Sequence, residues 1–330
     1  MGKNRGSYKT AEGHWRLRSK VIFLDIKGGA SKDSLENMKC DIARYCLHDL
    51  KNEGFPFPIF NLSDFDSKNA KVTYILNVIG AAVELTAIQY NDLAVQVESM
   101  ICENQVNFSL SELFEKFKSN KNIGLERKLQ PLLNIMNSYT PEENKEKYKY
   151  SSCREFIEDS SKITILSIKQ DSLPALRSIV YTLLQSIFEH QVINSSKRLV
   201  VYADEMQKYT ADSPFQQMYA ESREFRMCNI AMTQEYRAPG KDIKKISSNA
   251  AMEIFYPPTT DSENRVNGKL GKNYNAEEHH QKGVGCIWAK GYFWSKTANV
   301  HKYVTFRGMN DDDNFAELQS YPEGYCGTGY

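Results

Sequence analysis

Apolar runs that do not alternate with polar residues recur along the chain at 21–25, 163–168, 199–203, 229–233 and 252–256. Short runs of this kind, rich in Val, Ile, Leu and Phe, predict strands buried on both faces, as in a parallel sheet. A further apolar stretch at 57–62 carries Pro58 near its start, which predicts a strand near an edge. Between these runs the spacing changes to that of helices. Over 31–50, Leu35, Met38, Ile42, Tyr45 and Cys46 fall on one face. Over 70–150 the pattern is helical almost throughout, with Ser109 opening a capping box and Leu129, Leu132, Leu133 and Met136 marking an inward face. A long helix follows Asp171 through Leu176, Ile179, Val180, Leu183, Leu184, Ile187 and Phe188, and another covers 215–225. Toward the end, 283–288 and 292–294 predict a β-hairpin turning at Lys290-Gly291, with a further apolar stretch at 301–306.

The order of elements predicts an α/β fold in three parts. Residues 1–69 begin the core, 70–150 form a helical insertion on its flank, and 151–330 complete the core and end in the hairpin. With 330 residues, 41% hydrophobic content, 19 Tyr and 16 Phe, the chain has material for a sizeable core. Its 42 basic and 41 acidic residues nearly cancel, so any affinity for nucleic acid must come from a local basic face. One such run is Lys241 to Lys245, which also reads as a solvated helix face. Seven scattered cysteines, with no Cys-x-x-Cys pair, point to a reducing cytoplasm and against a disulfide scaffold or structural zinc. The sequence holds neither a long apolar span nor an apolar signal core.

The chemistry gathers at Asp204-Glu205. These two acids end the 199–203 run, at the carboxyl edge where open α/β sheets hold ligands. The arrangement has the form of a Walker B strand: Asp204 would hold Mg²⁺, and Glu205 would orient or deprotonate the water that attacks a γ-phosphate. The bland reading is a buried strand whose acids open a loop. Asp25, which ends the 21–25 run, and Lys27 just after it fall at the same edge. At the amino terminus, a phosphate loop aligned on Lys9-Thr10 matches at Gly6 and Ser7. Lys9 would reach phosphates, and the Thr10 hydroxyl would reach Mg²⁺. Lys3 stands where the first glycine belongs, and Tyr8 replaces the glycine before the lysine, which would crowd the phosphates and predicts weak nucleotide affinity. The alternative is a flexible basic terminus.

Taken in order, these parts resemble the motor ATPase domain of the HerA/FtsK superfamily, which includes the TraG- and TraD-like conjugative coupling ATPases. The resemblance runs over roughly residues 20–308 and rests on Asp204-Glu205-Met206-Gln207, on 221–234 from Glu221 to Thr233-Gln234, and on Gly283-Val284-Gly285 with Lys290-Gly291-Tyr292-Phe293. It implies a RecA-like three-layer αβα fold with a mainly parallel central sheet. It also implies ATP and Mg²⁺ as cofactors, double-stranded DNA as partner, and a hexameric ring. Residue by residue, it makes Asp204 the Mg²⁺ carboxylate, Glu205 the catalytic base, Gln234 a sensor of the γ-phosphate, and Arg223 a finger reaching a neighbouring subunit's nucleotide. Arg223 also reads as a helix-surface residue paired with Glu221 or Glu224, and Gln234 as a strand-end amide. The family's phosphate loop follows a strand, whereas this sequence begins within the loop. Two expectations result: a DNA-translocating ATPase subunit or a carboxyl-terminal fragment of one, or a silent ATPase-like assembly or DNA-binding module.

Overall fold

Strand β1 (Lys20–Asp25) is buried along its whole length, and it organises the sheet around it. The structure, a computed structural model, describes residues 2–103, 108–141, 148–169, 173–194, 196–206 and 214–233, with further strands at 252–255, 284–293 and 296–305. By internal contacts the chain divides into two units, Lys3–Asn249 and Ala250–Tyr330 with Met1–Gly2.

In the first unit, β1 is joined by β2 (Tyr45–Asp49), β3 (Ile163–Ser167), β4 (Leu199–Ala203) and β5 (Met227–Ala231). The order is β2-β3-β1-β4-β5, and every pairing is parallel. Successive residues of a strand face opposite sides, so a strand covered on both faces must be apolar at every position. Ile22, Leu24, Leu166, Leu199 and Val201 belong to one buried cluster, whereas Val21, Phe23, Ile163, Ile165, Val200 and Tyr202 belong to the other. The second cluster lies under α1 (Gly2–Arg16) and α2 (Lys32–Asn37). Tyr8 stacks on Phe23 and Phe23 on Tyr202, with ring centroids 4.7 and 5.4 Å apart. The first cluster lies under a larger helical layer: α3 (Leu50–Glu53), α4 (Lys68–Ala82), α5 (Ala87–Glu103), α6 (Leu110–Ser119), α7 (Ile123–Ser138), α8 (Cys153–Glu158) and α9 (Leu173–Ile193). Helices α4 and α9 are tied through the buried Tyr74 hydroxyl, which bonds Ser186 Oγ at 2.7 Å and the carbonyl of Ile59. After β4, α10 (Pro214–Glu221) leads into β5. Among the described residues, no helix is long and apolar enough to cross a membrane.

Four expectations are corrected. The helix over 31–50 stops at Asn37, because Met38 caps it and Lys39 turns left-handed at φ 56°. Tyr45 and Cys46 then belong to β2, paired with Ile163 and Thr164. Residues 57–62 are irregular rather than a strand, and Phe57, Ile59 and Leu62 are buried beneath the helical layer. The run at 252–256 does not join the parallel sheet. It forms β6 (Met252–Phe255), antiparallel to β7 (Val284–Phe293), in a separate three-stranded sheet completed by β8 (Lys296–Thr305). A hairpin is present there, yet β7 runs straight through Lys290-Gly291 and reverses only after Phe293, which pairs with Lys296.

At the amino end of β1, Lys20 is wholly buried. Its ammonium donates to the carbonyl of Asp159 at 2.8 Å and to Thr164 Oγ1 at 3.1 Å, and lies 4.3 Å from the Phe156 ring centroid. Burial pushes its pKa down to about 8. That drop corresponds to a cost of roughly 3 kcal/mol for keeping the charge at neutral pH. The unfolded chain still holds the proton between about pH 8 and 10.5, where the folded chain has shed it, so stability rises across that window. Lys20→Met is expected to flatten the rise and to add about 1–2 kcal/mol at neutral pH. Denaturant midpoints at about pH 7 and about pH 9.5 check this, and an unchanged rise would contradict it.

Candidate functional site

The parallel register sets the carboxyl ends of the strands level with one another. Asp49 pairs with Ser167, Ser167 with Asp25, Leu24 with Ala203, and Ala203 with Ala231. Asp25 and Asp204 therefore stand side by side on neighbouring strands at one edge. Bonds past the ladder hold the edge together: Ile168 N–H to the Asp25 carbonyl at 3.0 Å, and Met232 N–H to the Ala203 carbonyl at 2.8 Å. Met206 N–H to the Met232 carbonyl at 2.9 Å closes a clasp around Asp204-Glu205.

Inside that clasp Glu205 adopts φ 51°, a left-handed conformation that costs a non-glycine residue about 1–2 kcal/mol. Its N–H donates to Asp204 Oδ1 at 2.9 Å. The turn directs the Glu205 carboxylate inward, to a side chain only 6% exposed, where Oε1 meets Lys27 Nζ at 2.6 Å. Lys27 is 49% exposed, and its pKa is raised first by the hydrogen bond to Glu205. Burial pushes the Asp204 carboxyl up, and the charges of Glu205 and Asp25 push the same way, against the Glu205 N–H and Lys27. Asp25 Oδ2 accepts from Ala30 N–H at 2.7 Å, which folds the loop after β1 back on the edge. Three carboxylates, Glu205, Asp204 and Asp25, thus act on one ammonium. Among the described residues, no group of three or more His, Cys, Asp or Glu could hold a metal ion.

A second pair lies further along the edge. Lys169 Nζ meets Asp49 Oδ2 at 3.0 Å. Burial works against ionisation of Asp49, but Lys169 and the Lys51 N–H hold its pKa below the usual carboxylate range. The Lys169 stem crosses Gly28, whose φ is +63° and where a Cβ would stand 2.1 Å from Lys169 Cγ.

The expected phosphate loop is helix. Gly6, Ser7, Lys9 and Thr10 all lie within α1, past its first turn or close to its end. Backbone N–H groups beyond the first turn are spent on intrahelical bonds and cannot converge on a phosphate. Ser7 Oγ donates to Met232 Sδ at 2.9 Å, and Thr10 is exposed. Tyr8 is buried rather than crowding a loop, so its replacement of a glycine says nothing of nucleotide affinity. Its pKa is raised by burial, with Asp25 and Asp204 adding to the shift. The helix itself was missed, and Lys3 and Asn4 lie in its first turn. The signal was present: Tyr8, Ala11, Glu12 and Trp15 already have helical spacing. Lys27 was placed at the edge but not joined to Glu205. Arg223 lies in a 3-10 turn (Ser222–Phe225) just before β5, at the amino side of the sheet. Gln234, like Lys241 to Lys245, lies outside the described residues.

A parallel five-stranded sheet with helices on both faces and acids at its carboxyl edge defines a RecA-like α/β fold. Several solved structures share it. The plasmid coupling protein TrwB in complex with the ATP analogue ADPNP matches at TM-score 0.62 and 12% identity, over 89% of this chain and 80% of that one. VirB4 of Thermoanaerobacter pseudethanolicus matches at 0.58 and 13%, over 91% and 85%. TrwB in complex with ADP and Mg²⁺ matches at 0.54 and 12%, over 86% and 71%. No protein-family model matches the sequence, and no curated protein matches it.

Gly28→Ala is expected to destabilise the fold by about 1–3 kcal/mol, through left-handed strain and the clash with Lys169. Lys169→Ala should remove the clash but not the strain, so the double variant loses less than the two single losses added. Urea midpoints of the four chains check it. Simple additivity would show that the Lys169 stem does not constrain Gly28.

Proposed function

We propose that the chain is an ATP-hydrolysing motor subunit that moves double-stranded DNA in the cytoplasm as part of a hexameric ring. The observation that carries the catalytic half is the Asp204-Glu205 clasp, level with Asp25 and joined to α1 through the bond from Ser7 to Met232. The DNA and the ring rest on the resemblance to the HerA/FtsK motor ATPases, and the shared fold with TrwB and VirB4 supports it.

In this reading the phosphates lie at the start of α1, where the first N–H groups have no intrahelical acceptor and the helix dipole favours anions. Lys3 reaches them, and Asn4 takes the position of the motif's hydroxyl residue. Bound Mg²⁺ neutralises charge on the terminal phosphates. Asp204 holds that ion directly or through water. Glu205 orients the attacking water and accepts its proton. Gln234 reads the γ-phosphate from beyond β5. Arg223 serves a neighbour, because β4 and β5 are each five residues long and set its turn roughly 17 Å from Asp204, past the reach of its side chain. Lys9 and Thr10 are left without a part in binding. A second reading, a silent ATPase-like assembly or DNA-binding module, draws support from Asn4, which lacks the hydroxyl.

Steady-state ATP hydrolysis with and without double-stranded DNA separates the two. Glu205→Gln is expected to lower turnover by about 100-fold or more while Mg-ATP still binds. Lys3→Ala should weaken binding far more than Lys9→Ala, and the reverse order would return the phosphate site to Lys9. Absence of both turnover and nucleotide binding would establish the silent module.

Assembly gives a separate check. Activity is expected to rise more than linearly with protein concentration. Neither Arg223→Ala nor Glu205→Gln alone should hydrolyse ATP, yet mixing them should restore part of the activity, since some interfaces then join an intact base to an intact finger. Wild-type turnover in Arg223→Ala would assign that arginine to the surface.

A further inference from the structure

Lys27 and Glu205 touch across the neighbouring strands β1 and β4, and the contact has a consequence for how the site idles. Glu205 is buried and fixed by its backbone turn, whereas Lys27 is half exposed and followed by Gly28 and Gly29. Lys27 is therefore the movable partner. Its four-carbon stem lets the ammonium swing over several ångströms. A base that takes a proton from an attacking water lies about 2.7 Å from that water, which itself lies about 3 Å from the phosphorus. A cation in contact with such a base is thus one side-chain swing from the transferred phosphate. While the ammonium occupies Glu205 Oε1, that oxygen is turned to Lys27 and not to a water.

We propose that Lys27 holds Glu205 idle when no triphosphate is present, and moves to the terminal phosphate when one binds, so that the base is released only beside the group to be attacked. Lys27 is then a positioning residue for Glu205 and a direct ligand of the third phosphate. A diphosphate, lacking that group, leaves the pair closed. The proposal rests on the nucleotide-binding reading above. Asp25 and Asp204 favour the ammonium at this edge before nucleotide arrives, and a Mg²⁺ ion held by Asp204 would supply that neutralisation once a triphosphate is bound.

Two measurements on the full chain test it. The first compares binding of Mg-ADP with binding of a Mg-bound non-hydrolysable ATP analogue, by calorimetry. Wild type is expected to prefer the triphosphate by about tenfold or more, Lys27→Met by about twofold or less, and Lys27→Arg to keep most of the preference. The second reads Lys27 itself by amine acylation and mass spectrometry. Without nucleotide, Glu205→Gln should raise its labelling several-fold. In wild type, the analogue should change its labelling while ADP leaves it as it was. An unaltered preference in Lys27→Met, or labelling indifferent to Glu205→Gln, overturns the proposal alone. A wild-type chain that binds neither nucleotide overturns the nucleotide reading and this proposal with it.

Discussion

The parallel ladder joining β1 to β3 and β4 is the constraint on which the rest depends. Residue rise along a strand is fixed, so the register Lys20↔Leu199 through Leu24↔Ala203 decides which side chains stand level at the far edge. A slip by one residue would move Asp25 away from Asp204 and turn every buried side chain to the opposite face. Side chains at both ends of β1 oppose that slip. Lys20 is held to Asp159 and Thr164 at the amino end, and Phe23 is sandwiched between Tyr8 and Tyr202 nearer the site. The geometry of the acids is in this sense a product of the core beneath them.

How much of this was legible follows from what each element must bury. The runs giving β1, β3 and β4 were readable because strands covered on both faces leave little room for polar residues; the edge strand β5, buried mainly at Met227, was readable only two residues late, at 229–233. β2 was not, since an edge strand buries only part of its side chains and Tyr45, Cys46 and His48 leave no apolar run to find. After Ile42 the same residues also satisfy helical spacing, and only pairing with β3 decides between the two. β6 was legible as a strand, but an apolar run does not name its partner. At the site, Asp204 and Glu205 were legible because they are adjacent and end an apolar run. The contact of Glu205 with Lys27 joins residues far apart in the chain, and no local pattern could reveal it.

Glu205 also shows how the fold stores strain where chemistry is expected. A left-handed glutamate is unfavourable by itself, so the surroundings must over-determine it. They do so through the two backbone bonds from Met232 and Met206, and through Lys27, which receives the carboxylate the turn directs inward. Loosening β5 at Met232 would therefore release Glu205 without touching either charged group. Glu205 is fixed by the pairing of β4 with β5, so a shift of β5 reaches the acids directly.

The same strand pair separates the two ends of the proposed reaction. Asp204 closes β4 at the carboxyl edge, whereas Arg223 precedes β5 at the amino edge. Because the strands are parallel, no rotation of the arginine side chain shortens that separation to a contact; only bending the sheet would, at the cost of both buried clusters. A role for Arg223 at a nucleotide thus requires a second copy whose amino edge faces the first copy's carboxyl edge. Such a contact joins unlike surfaces, head to tail, and repeating it generates either a closed ring or an open helix. The placement of one arginine relative to one aspartate consequently ties the proposed chemistry to the proposed assembly.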